Sequence, residues 1–90
     1  MKATCRSQSG TKVELEVLDL SPIGCLVRRR AWSAQPDERI LVQLPGLGFR
    51  PARIIWVEDE LAGIEFEQLL HEAVLERLED SLASELKSAA

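Results

Sequence analysis

From Val13 onward the chain alternates. Val13, Leu15 and Val17 are apolar, and Glu14 and Glu16 between them are acidic. A period of two puts alternate side chains on opposite faces of a strand, so this segment has one face in a core and one in water. A short segment at Lys2–Arg6 precedes it, and Ser7-Gln8-Ser9-Gly10 between the two reads as a hairpin turn. Pro22 and Gly24 then break the chain, and Cys25-Leu26-Val27 resumes an apolar run. Residues 32–37 read as a loop with Pro36 near its end. Ile40, Val42 and Leu44 alternate again until Pro45-Gly46 stops them. Ile54-Ile55-Trp56-Val57 is rich in β-formers, Glu58-Asp59-Glu60 marks an exposed turn, and Leu61 to Phe66 returns as a strand with Ile64 and Phe66 on one face. Six short strands at close spacing predict a mainly β fold, a barrel or a sandwich, over residues 2–67.

Beyond Phe66 the period lengthens. Leu70, Val74, Leu78, Leu82 and Leu86 recur every four residues, Leu75 widens the stripe, and Glu72, Glu76, Glu79 and Asp80 lie between. This predicts one amphipathic C-terminal helix over residues 69–87. Its acids come early and Lys87 late, as the helix dipole favours. The stripe cannot stay in water, so it must dock on the sheet or on another chain. Leu70, Val74, Leu78, Leu82 and Leu86 are therefore the expected seam for a protein partner or for self-association.

Composition narrows the function more than the fold. With 46% apolar and 29% charged residues, the 90-residue chain reads as one globular domain, 1–90. No apolar run suffices for a membrane span, and no apolar stretch follows the N-terminal charges as a secretion signal requires. A cytoplasmic protein with reduced thiols is expected, with Cys5 and Cys25 as small buried hydrophobes and no metal. The net charge of −4 conceals an asymmetry: residues 1–57 carry nine basic and five acidic side chains, residues 58–90 two basic and ten acidic ones. The first part attracts anions, but the overall acidity speaks against DNA binding. Without Tyr, and with few aromatics, a base-stacking platform for RNA is not expected, and Trp56 reads as core. The single histidine, His71, has no nucleophile partner and reads as a surface or capping residue. Pro45-Gly46-Leu47-Gly48 leads into a strand rather than a helix and is no phosphate loop. The chain reads as a binder without cofactor, not an enzyme.

One stretch is more specific. Asp19-Leu20-Ser21-Pro22-Ile23-Gly24, followed by Cys25-Leu26-Val27-Arg28, has the pattern Asp-x-Ser-x-x-Gly between two strands. Taken alone, these residue types also make a plain β-turn. With the Pro36-Asp37 turn before Ile40-Leu41-Val42, the Arg53 to Val57 strand and Gly63-Ile64-Glu65-Phe66 before a helix, the chain resembles the PilZ domain family over residues 3–80. The resemblance implies a six-stranded antiparallel barrel with one C-terminal helix. It also implies a bacterial receptor or adaptor for the second messenger cyclic di-GMP.

In that setting Asp19 would accept hydrogen bonds from a guanine's N1–H and amino group, and Ser21 would bond the ligand or close a local turn. Gly24 would let the backbone take a positive φ or approach a flat ring. Arg6 and Arg28 are the basic candidates for the ligand's phosphates. The run Arg28-Arg29-Arg30 has a plainer use, as charge guarding a sheet edge. The family's second ligand element, Arg-x-x-x-Arg ahead of the first strand, has no match here. Lys2 and Arg6 have the mutual spacing, but Arg6 stands only thirteen positions before Asp19, and Lys2 lacks the guanidinium fork. Two functions stay open: a cyclic di-GMP binder, and a degenerate PilZ domain that acts as a protein-interaction adaptor.

Overall fold

The computed structural model describes residues 1–30 and 32–88, and side chains as far as residue 85. Six strands precede one helix: β1 (Lys2–Arg6), β2 (Lys12–Ser21), β3 (Gly24–Arg28), β4 (Arg39–Gln43), β5 (Arg50–Glu58), β6 (Leu61–Phe66) and α1 (Glu72–Ser88). All pairings are antiparallel, and the order β1-β2-β3-β6-β5-β4 closes on itself through β1–β4. The predicted six-stranded barrel with a C-terminal helix is what forms.

The turns follow from their residues. Gly10 takes φ 92° in the β1–β2 hairpin. Pro45-Gly46 makes a tight turn in which the Leu47 N–H donates to the Leu44 carbonyl at 3.1 Å, with Gly46 at φ 78°. Pro at the first central position and a positive φ at the second are what a type II turn needs. Alternate residues fill the barrel: Cys5, Leu15, Val17, Val27, Val42, Ile54 and Ile64 are among those wholly buried. Closure leaves no sheet edge for Arg28-Arg29-Arg30 to guard. Instead Arg28 faces Glu16 and Glu60, and Arg29 Nε donates to the Asp59 carbonyl at 2.7 Å.

Two places break the alternation. β2 bulges between Val17 and Asp19, and β5 between Ile54 and Trp56. A bulge places two residues of one strand against one of its partner and shifts the facing of the residues beyond it. In β5 it turns both Ile55 and Trp56 outward while Ile54 stays inside.

The helix begins at Glu72, not at residue 69. His71 is the reason: its Nδ1 accepts the Ala73 N–H at 3.1 Å, satisfying one of the donors a helix start leaves free. Leu70 precedes the helix and is buried because its N–H donates to the Pro22 carbonyl at 2.9 Å, tying the connecting loop to the β2–β3 turn. α1 packs on β2, with Leu75, Leu78 and Leu82 buried and Val74 half-buried against the core. This corrects the expectation of a partner seam: the chain's own barrel covers Leu70, Leu78 and Leu82, so the stripe is taken up within the fold. Leu86 lies outside the described side chains. Met1 is buried beside the barrel, and its amino group pairs with Glu85 of the helix. Among the described residues no helix is long and apolar enough to cross a membrane.

Candidate functional site

The register of four strands draws one row across the outer face of the barrel. Asp19 on β2 stands opposite Leu26 on β3, Leu26 opposite Gly63 on β6, and Gly63 opposite Trp56 on β5. The two bulges lie at the two ends of this row. One turns Asp19 outward and the other Trp56. Between them runs a groove of about 210 Å³, with Asp19, Ser21 and Ile23 on one side and Ile55 and Trp56 on the other.

Each wall has a local cause. Asp19 Oδ1 accepts its neighbour Leu20's N–H at 2.9 Å, which holds the carboxylate on the bulge. One such bond leaves most of a carboxylate's accepting capacity free. Ser21 Oγ donates to the Gly24 carbonyl at 3.3 Å and closes the β2–β3 turn. Gly24 has neither a positive φ nor an open face. A Cβ on it would collide with the Ile64 carbonyl oxygen of β6, so this glycine serves the close approach of two backbones. Gly63 does the same for a side chain: a Cβ there would stand 2.6 Å from Trp56 Cε2, so its absence lets the indole lie down on the strand. Trp56 is 38% exposed, not the core residue expected from its β-rich run.

The groove is acidic. Asp19 and Glu65 are its charged lining residues, and among the described residues no Lys or Arg lines it. The nearest cation by register is Arg53, which stands opposite Glu65 on the same outer face. Asp19, Ser21 and Gly24 are thus brought together, and Arg6 and Arg28 are not brought to them. Arg6 pairs with Lys12 at the far end of β2 from Asp19, about 23 Å along the strand at ~3.3 Å per residue. Arg28 sits one outward position beyond Leu26 and is shared by Glu16 at 4.0 Å and Glu60 at 3.7 Å.

Ile55, Trp56, Gly63 and Glu65 were not found from the sequence. Two signals pointed to them: a strand glycine at position 63, and an apolar run from Ile54 to Val57 with no alternation in it. Both cysteines are buried. Burial raises the Cys5 thiol to about 12, and burial together with the proximity of Cys5 raises Cys25 to about 12, so neither forms a thiolate at neutral pH.

The family model described as PilZ domain matches residues 1–84 of the chain. No curated protein matches it.

Proposed function

The chain belongs to the PilZ domain family, and on that footing we propose that it is a non-catalytic module of cyclic-di-GMP-linked signalling whose outer groove receives one guanine ring. The carrying observation is the row from Asp19 to Trp56, which faces a free carboxylate with a half-exposed indole across one groove. A guanine presents two adjacent N–H donors on one edge, which suit a carboxylate. Its flat face suits the indole, and such stacking is worth about 1–3 kcal/mol per base. The volume supports one ring rather than a whole dinucleotide: about 210 Å³ lies below the ~300–1,000 Å³ of sites that enclose a drug-sized ligand. The ligand's phosphates then lie outside the acidic groove, toward Arg53. The family assignment also supports a bacterial, cytoplasmic setting.

A second reading, an adaptor that acts by protein contacts without nucleotide, draws on the same groove. Its two lining charges are both negative, which opposes an anionic ligand. Calorimetric titration of the full chain with cyclic di-GMP decides between them. Saturable heat that is lost in Asp19→Ala, and reduced at least about tenfold in Trp56→Ala, is the expected result. No heat at ~1 mM nucleotide would leave the adaptor.

A further inference from the structure

On the opposite side of the barrel from β3 and β6, strands β1, β4 and β5 carry a second concavity. It encloses about 360 Å³, more than the groove beside Asp19, and Arg6, Gln8, Arg39, Leu41 and Pro51 line it. Its floor is apolar. Leu41 stands opposite Pro51 in the β4–β5 register and is 37% exposed. Its rim is cationic. Arg6 stands beside Leu41 on β1, Lys12 stands opposite Arg6 on β2, and Arg39 stands opposite Arg53 across β4–β5.

Two of these neighbours are like-charge pairs placed directly across strands, Arg6 with Lys12 and Arg39 with Arg53. Such pairs destabilise a sheet, by an amount of the order of the 0.2–1 kcal/mol that opposite charges contribute there. Compensation inside the chain is partial. Arg39 Nη2 bonds Glu67 at 2.7 Å, Arg53 faces Glu65 and Lys12 lies over the Phe49 ring, but Arg6 has no acidic neighbour in its row. A chain of net charge −4 thus gathers four cations around one apolar shelf, while the exposed side of α1 carries Glu72, Glu76, Glu79 and Asp80. An acidic occupant would relieve both like-charge pairs, and an apolar side chain on it would cover Leu41 and Pro51.

We propose that this face docks an acidic peptide segment of a partner protein, with one apolar side chain on the Leu41–Pro51 shelf and flanking carboxylates on Arg6 and Arg53. The barrel is closed, so the segment binds through side chains and not by adding a strand. A bare phosphate would leave the shelf uncovered, and a nucleic acid would meet the acidic remainder of the molecule.

The test uses the full chain and a short labelled peptide with glutamates on both sides of one central leucine, read by fluorescence anisotropy. Saturable binding below ~1 mM is expected. It should weaken at least about tenfold in Arg6→Glu and in Leu41→Ser, and by a similar factor when alanine replaces the peptide's leucine. Circular dichroism of each variant, with Arg6→Gln as a milder partner, separates lost binding from lost folding. No saturable binding, or equal binding by the alanine peptide with full competition by inorganic phosphate, overturns the proposal. So does concentration-dependent self-association of the unlabelled chain that Arg6→Glu abolishes, because a second copy would then be the occupant.

Discussion

Gly24 and Gly63 occupy adjacent rows of the same sheet face, and their missing side chains do different work. The space beside Gly24 is filled by the Ile64 carbonyl, a backbone group that cannot swing aside. The space above Gly63 is filled by the Trp56 indole, the end of a side chain that can. Gly24→Ala should therefore force β3 and β6 apart and cost about 1–3 kcal/mol, the usual range for overpacking. Urea unfolding would show it as a lower midpoint at unchanged slope. Gly63→Ala should cost less and shift the tryptophan emission, because Trp56 is displaced. If the two variants unfold alike, the backbone contact is not what Gly24 serves. Nucleotide binding lost in Gly24→Ala would accordingly report a distorted barrel, whereas loss in Asp19→Ala would report the ligand.

The helix shows how an element takes its stability from elsewhere. α1 has 17 residues and starts on a histidine cap, but helices in proteins take most of their stability from packing an amphipathic face. Its docking side chains decide whether it forms. Leu78, 3% exposed, lies amid them, and Leu78→Ala should cost about 2–5 kcal/mol. The checks are the denaturant midpoint and faster amide exchange through α1 and the facing part of β2. Unchanged exchange in the helix would mean that α1 is held by other contacts. The leucine period made this helix legible in the sequence. It also misled at Leu70, whose burial follows from the loop bonding to Pro22 and not from a helical turn. The strands were legible wherever apolar and polar residues alternate, as from Val13 to Val17 in β2. The β5 bulge was not, because Ile54 to Val57 are all apolar and give no phase to break. Half of the groove was lost with it. Asp19, Ser21 and Gly24 are contiguous and carry their own pattern, but Trp56 joins them only through the β5–β6 and β6–β3 registers, which no local pattern encodes.

At the scale of the molecule, Arg50 brings its Nε and Nη1 out of water beside the Phe66 ring, and the residues buried as a whole among those described are the apolar set and two thiols. That makes the whole barrel sensitive to alkali. Burial holds the Cys5 and Cys25 thiols near pKa 12, against 9.0 for a free thiol. Between these values the unfolded chain releases protons that the folded chain retains. Stability is therefore complete below about pH 9 and falls as pH rises toward 12, by up to about 1.4 kcal/mol per thiol per pH unit. Domains of this kind have only about 5–15 kcal/mol in hand, so the loss from two thiols is a large share of the total. All other groups are common to wild type and variant and cancel in the difference. The double variant Cys5→Ala, Cys25→Ala should be less stable than wild type at pH 7.5, because two small cavities remain. Urea curves taken from pH 7.5 to 11 should then converge, and the variant should overtake the wild type as the thiol contribution disappears. Curves that stay parallel over that interval would mean that the thiols ionise in the folded barrel as readily as in the unfolded chain, and that water reaches its interior.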